Sequence, residues 1–247
     1  MKHKISIIVA VVLGGFLLIG PFSGPEKLLW LTLLIICWTI AAAYGSYRIG
    51  LDWYLKSVHR VEANAIALTF DDGPDPDTTP RILSILNDAG VTATFFLIGE
   101  KAEKYPDLVR QIAREGHGIG NHSFSHRKDI GFFGIDRLRE DIGKANRVLE
   151  LNLGRPVPLF RPPFGVTNPR YAKVLTALGL RSIGWSLRSY DTVIKNEEKL
   201  AARLRSKVRG GHIVLLHDSV PATVSVLAPF IVYCKSRQLD FVKLPLS

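Results

Sequence analysis

Ala67-Leu-Thr-Phe-Asp-Asp-Gly-Pro74 decides how this chain is read, because an apolar run ends in two adjacent carboxylates and is then broken by Gly73-Pro74. Residues 66–70 have the character of a buried strand. Successive side chains on a strand face opposite ways, so a straight continuation would part Asp71 from Asp72. A sharp turn after Phe70 instead brings both into one cleft, where one carboxylate can bind a metal while its neighbour acts as a base. A polar turn with an Asx motif is the plain alternative for an isolated Asp-Asp-Gly.

Further along, short apolar runs alternate with helical patterns. Strands are expected at 65–70, 93–98, 117–121, 159–161, 182–186, 213–216 and 241–244. Helices are expected at 79–88, 105–115, 136–151, 169–178, 197–208 and 224–237, with Asn168 capping the fourth and Gly90, Gly116 and Gly179 ending three of them. Strands that alternate with helices of ten or more residues imply a parallel sheet. Seven units in residues 63–247 point to a compact α/β barrel, smaller than the usual eight-unit form of about 250 residues. The residues able to do chemistry, Asp71-Asp72, His122, Arg161, Asp191 and His217, all fall just after strands, where barrels of this type build their active sites.

His122-Ser-Phe-Ser-His126 carries two imidazoles four residues apart, on one face if the segment makes a helical turn. Two histidines and a carboxylate are a common zinc-ligand set, although an isolated pair is more often a feature of the surface. Arg161-Pro-Pro-Phe-Gly165 ends a strand with a guanidinium, which is expected to pair with a carboxylate; Asp71 is a candidate. Ile213-Val-Leu-Leu-His217-Asp218 is an apolar strand that delivers a histidine at its end.

These four segments, TFDDGP, HSFSH, RPPFG and LLHD in this order, resemble the polysaccharide deacetylases with a NodB-like domain, carbohydrate esterase family 4. The similarity covers about residues 63–247 and implies a distorted (β/α)7 TIM-like barrel. It further implies that Asp72, His122 and His126 bind a divalent metal, zinc in the first place, with cobalt or manganese as alternatives. Asp71 would be the general base, Arg161 its orienting partner, His217 the general acid and Asp191 the group that tunes His217. The Phe164 N–H would stabilise the oxyanion, while Leu215 and Trp185 would line the acyl site. One segment departs from the family pattern: Trp185-Ser-Leu-Arg188-Ser-Tyr-Asp191-Thr192 has Arg188 where Asp is usual and Thr192 where Trp is usual. Arg188 puts the network around His217 in question and adds positive charge near the cleft, which suits an anionic or phosphate-bearing substrate and equally a subgroup variation of no catalytic consequence. The loops at 131–135 and 192–196 are expected to govern substrate choice.

Residues 1–50 differ from the rest. Neither 5–25 nor 28–47 contains a charged residue, and a helix needs roughly 20 apolar residues to cross a hydrocarbon core. One or two transmembrane helices are expected, at about 5–21 and 28–47, followed by an amphipathic connector at 51–62. The first run also has the lysine-bearing start of a signal peptide, without a convincing small-x-small cleavage site after it. Lys2, Lys4, Arg48, Lys56 and Arg60 flank the pair, which by the positive-inside rule favours a cytoplasmic main domain; family habit often favours the outside.

The net charge is +10, of which Lys2, Lys4, Lys27 and Arg48 against Glu26 contribute +3. That excess suits an anionic membrane surface or an acidic glycan, and no nucleic-acid recognition motif accompanies it, so no nucleic-acid partner is expected. Cys37 and Cys234 are not expected to form a disulfide. The expected activity is metal-dependent removal of N-acetyl groups from amino sugars of a bacterial-type glycan such as peptidoglycan or an N-acetylglucosamine polymer, at a membrane. A deacylase or deformylase of a lipid-linked sugar is the alternative, and a catalytically inactive glycan-binding barrel the alternative of another class.

Overall fold

The computed structural model describes residues 2–244. Two long apolar helices come first, α1 (Lys2–Ile19) and α2 (Gly24–Tyr47), each long and apolar enough to cross a membrane. They pack against each other as an antiparallel hairpin, because the Lys2 ammonium donates to the Leu51 carbonyl (2.8 Å) and the His3 N–H to the Trp53 carbonyl (3.1 Å). Their outer faces leave large apolar side chains uncovered, Ile5, Val11 and Ile19 among them.

The barrel follows. Its strands are β1 (Ser57–Val58), β2 (Ala65–Gly73), β3 (Thr94–Leu97), β4 (Gly118–Asn121), β5 (Leu159–Phe160), β6 (Arg181–Ile183), β7 (Leu187–Arg188), β8 (Ile213–His217) and β9 (Asp240–Phe241). Around them lie α3 (Thr79–Asp88), α4 (Gly99–Lys104), α5 (Pro106–Arg114), α6 (Ile135–Leu153), α7 (Pro169–Ala177), α8 (Glu197–Lys207) and α9 (Pro221–Ser236). The main sheet is parallel throughout, in the order β1-β6-β5-β4-β3-β2-β8-β7. It curls into a barrel-like surface, but among the described residues its edge strands β1 and β7 do not pair, which leaves a seam.

The parallel α/β architecture agrees with the sequence pattern, and the staves differ in detail. Residues 241–244 do not add a seventh stave: β9 pairs only with the start of β2, off the main path. The strand expected at 182–186 stops at Ile183 as β6, β7 lies beyond it at Leu187–Arg188, and the stretch 51–62 contributes the edge strand β1. Strand parity sorts the residues into layers. Ile66, Leu68 and Phe70 of β2 pack outward under α3 and α9 with Val214 and Leu216, while Ala67 and Ile213 belong to the inner cluster with Phe96, Leu159 and Ile183. Thr69, Asp71, Leu215 and His217 are in step with those inner residues.

Candidate active site

β2 runs through Asp71 and Asp72 as far as Gly73 rather than stopping at Phe70. Asp71 is inward by parity. Asp72 would face out, but its φ of 75° and a register break between Asp71 and Gly73 swing it to the same side. Gly73 is required there, since a Cβ would overlap the Asp218 carboxylate packed behind it. Asp218 is fully buried, accepts from the Thr79 hydroxyl (2.8 Å), and is pushed up to about 7 by burial. It props the turn that carries Asp72, a role the sequence reading did not assign.

His122 directly follows β4, and its Nδ1 lies 2.8 Å from the Arg161 carbonyl. A carbonyl can only accept, so Nδ1 is the donor here and Nε2 is the ring nitrogen left to face a metal. The segment to His126 is not the helical turn expected from the four-residue spacing. It is a loop with left-handed residues at Ser123 (φ 67°) and His126 (φ 44°). Asn121 accepts from the Ser123 N–H (2.8 Å) and Asp141 of α6 from the Phe124 N–H (2.9 Å); these side chains substitute for helical hydrogen bonds. The loop brings the two imidazoles to a 4.9 Å centroid separation, tilted 41° to each other. His126 is pushed down to about 4, first by burial and then by the neighbouring His122, so at neutral pH its ring is uncharged.

Asp72, His122 and His126 each aim one donor atom at a common point, all within 4.8 Å of one another. The Asp72 carboxylate lies 3.5 Å from His122 Nε2 and 3.3 Å from His126 Nε2. Burial opposes ionisation of Asp72, but His122, His126 and His217 outweigh it and hold the carboxyl well below the usual range. One carboxylate and two imidazoles, partly open to solvent, fit a divalent cation with a free coordination position.

Arg161 is completely buried and makes the connection across the barrel. Its Nη1 donates to Asp71 Oδ1 (2.7 Å) and Thr69 Oγ1 (2.8 Å), its Nη2 to the Gly184 carbonyl (3.0 Å), and its plane lies over the Phe96 ring at 4.1 Å. Asp71 is thus held by one oxygen, and its other oxygen points toward His122 Nε2, 3.7 Å away. His217 stands opposite at the end of β8, in register beside Asp71. Asp191 takes its Nδ1–H (2.7 Å) and its backbone N–H (2.7 Å), and is itself fixed by the Thr223 hydroxyl (2.7 Å). Burial alone would lower the His217 pKa; the hydrogen bond and charge of Asp191, with Asp71 and Asp72, raise it to about 9. His217 is therefore protonated at neutral pH.

Arg188 does not enter this pair, and Asp191 holds His217 without it; the Arg188 guanidinium lies over the Tyr190 ring (5.1 Å). Phe164 sits on the rim at φ 60°, with its ring 4.9 Å from His126. Trp185 packs on Gly165, where any Cβ would collide with the indole and where φ is +71°. Leu215 is buried in the barrel beside Thr69. Asp71, Asp72, His122, His126, Arg161, Asp191, His217 and Phe164 are thus brought together, while Leu215 and Trp185 lie apart from them, in the barrel and against Gly165. Asn121, Asp141, Thr223 and Asp218 were missed; only Asp218, inside LLHD, stood in a recognisable segment.

Known proteins bear on this geometry. The polysaccharide deacetylase family matches residues 59–183, half of the chain. The chain belongs to the polysaccharide deacetylase family. A peptidoglycan-N-acetylglucosamine deacetylase of Bacillus cereus is 35% identical over 184 residues, which are 73% of this chain and 66% of that protein. A chitooligosaccharide deacetylase of Azorhizobium caulinodans is 38% identical over 159 residues, covering 64% of this chain and 75% of that protein. Among solved structures, a peptidoglycan N-acetylglucosamine deacetylase superposes with a TM-score of 0.72 at 33% identity, over 76% of this chain and 90% of the other. A family 4 pseudoenzyme from Bacillus anthracis superposes with a TM-score of 0.71 at 26% identity, over 75% and 66% of the two chains. A mutant of that pseudoenzyme with restored activity superposes equally well, at 0.71. Deacetylase family members therefore share this fold whether or not they turn over substrate, and the rim residues have to carry the functional argument.

Proposed function

We propose that this chain is a metal-dependent N-deacetylase acting on N-acetylated amino sugars of a glycan, anchored to a membrane by its two N-terminal helices. The observation that carries this reading is the meeting of a metal-competent triad, a buried Arg161–Asp71 pair and a protonated His217–Asp191 pair at one barrel rim. Asp72, His122 and His126 would hold the ion, most suitably zinc, which when bound supplies Lewis-acid polarisation of the acetyl carbonyl and acidifies water. Asp71, steered by Arg161, accepts the proton of the attacking water. His217 donates its Nε2 proton to the departing amine nitrogen, because Asp191 holds Nδ1. The Phe164 N–H serves the developing oxyanion, a contribution on the order of 3 kcal/mol for one such donor. Leu215 and Trp185 bound the acyl pocket. An amide is a poor electrophile with a poor leaving group, and each of these groups answers one of its deficits.

The test is acetate release from N-acetylglucosamine oligomers by the full chain in detergent micelles, abolished by a chelator and restored by zinc. Zinc-loaded protein that releases no acetate from any N-acetylated glycan, soluble or lipid-linked, would sink the proposal in favour of an inactive glycan-binding barrel.

A lipid-linked amino sugar is the second substrate reading, and one contact favours it. The Ser46 hydroxyl at the end of α2 donates to the Thr167 carbonyl (2.6 Å), and the Thr167 N–H donates to the Ser46 carbonyl (3.0 Å). The helical hairpin is thereby fastened to the loop that carries Phe164 and Gly165. Faster deacylation of a lipid-linked amino sugar than of its lipid-free form would select this reading; equal rates would reject it.

A further inference from the structure

The seam between β1 and β7 opens into a cleft of about 530 Å3 that lies outside the metal triad. Its walls carry Arg48, Arg60, Arg188, Arg203 and Lys207, with no aspartate or glutamate among the lining residues. No carboxylate lies within salt-bridge distance of any of these five cations among the described residues, whereas the surface arginines Arg110, Arg127 and Arg139 each have an acidic partner. The unrelieved charge is also concentrated. The guanidiniums of Arg188 and Arg203 lie over the same Tyr190 ring, at 5.1 and 4.6 Å from its centroid. Arg203 is anchored by donating to the Ser189 (3.0 Å) and Arg188 (3.1 Å) carbonyls, so its position is fixed before any ligand arrives. His212, on the same wall, is lowered by burial and then by Arg60 and Arg209, the response expected of a ring in a positive field.

Place identifies the source of the anion. Tyr47, Arg48 and Ile49 line the cleft where α2 ends, so one wall begins at the last turn of the second apolar helix. In a membrane-spanning hairpin that is the depth of the lipid phosphates, and guanidinium forks match phosphate oxygens in pairs. We propose that the seam cleft binds the phosphate of an anionic membrane lipid. Trp185 lines the cleft and also packs against Gly165 of the catalytic loop, so a seated headgroup would sit one side chain away from that loop. The inference stands whether or not the rim deacetylates glycans, because it rests on the cations and the helix exit alone.

Native mass spectrometry of the full chain released from neutral detergent tests it, with 1-oleoyl-lysophosphatidic acid, monoolein and inorganic phosphate as probes. The lysophosphatidic acid should be retained in preference to monoolein, which has the same acyl chain without phosphate, and retention should fall as ionic strength rises. Arg48→Gln with Arg188→Gln should weaken it about thirtyfold, at roughly one near-surface charge contribution per residue removed. Arg48→Lys with Arg188→Lys keeps the charge but loses the paired forks, so it should bind between the native chain and the glutamine variant, and near-ultraviolet circular dichroism checks that each variant is folded. Equal retention of monoolein, undiminished binding by the double glutamine variant, or a lysine variant that binds no better than the glutamine one overturns the proposal. Displacement by inorganic phosphate at matched concentration also overturns it, by reassigning the cleft to a soluble phosphate.

Discussion

The two sides of the catalytic rim are built by different means. His217 and Asp71 lie side by side on paired parallel strands, and their directions follow from the two-residue period of the strand. The metal side owes little to any period. Asp72 reaches the site in a left-handed conformation of its own, and His126 through a loop with two more such residues, held by Asn121 and by Asp141, which stands 15 residues downstream on α6. Strand geometry places the groups proposed to handle protons, while local turns and borrowed side chains place the proposed ligands. Each side should accordingly fail in its own way.

Asp71→Asn strikes where the two sides meet and should cause the largest loss. Removing a general base costs about 10²- to 10⁴-fold, and because Asp72, His122 and His126 stay in place, zinc binding by calorimetry should persist. Undiminished acetate release would refute the base assignment. Next is Asp191→Asn, which attacks the acid alone. His217 is raised to about 9 in the intact site, so the acid is protonated below that value and activity is lost as pH rises through it. A cation at Asp72 will pull this limb below the metal-free value. Without the Asp191 charge the alkaline limb should move to lower pH still, with about a hundredfold loss of kcat on the alkaline side; an unmoved limb removes Asp191 from the proton path.

Asp141→Ala attacks only the metal side. Freed from Asp141, the loop should hold His126 loosely, and zinc affinity should fall about 10- to 100-fold, as when support around a ligand is removed. Excess zinc should restore turnover with the pH profile unchanged; a shifted profile would break the division between the two sides. The smallest change is Asn168→Ala, which strips the cap from α7, where the side chain accepts from the Arg170 and Tyr171 N–H groups. About 1 kcal/mol of stability should go, read as a lower melting temperature, with zinc affinity and pH profile unmoved.

The same division explains what was legible beforehand. The strand at 65–70, the inward step of Asp71 and His217, the Asn168 cap and the Gly179 stop (φ 65°) follow from short-range rules. The His122–His126 spacing pointed to two rings that the structure does bring together, through the wrong local structure, since a period of four can arise from a helix or from a loop drawn tight by distant side chains. Asp141 and Thr223 gave no signal because their roles exist only after α6 and α9 have docked. Individual strand bounds differ from expectation at β1, β7 and β9, which are two residues long, below the length at which alternation can be read.

The double hydrogen bond between Ser46 and Thr167 makes the hairpin a spacer of fixed length. If α1 and α2 cross a bilayer, the catalytic rim is held at one height above the lipid, without a hinge to lengthen its reach. Glycan strands beyond that height stay out of range however abundant they are, and amide bonds at that height are met at high local concentration. Geometry of this kind filters substrates by altitude before any pocket reads their chemistry.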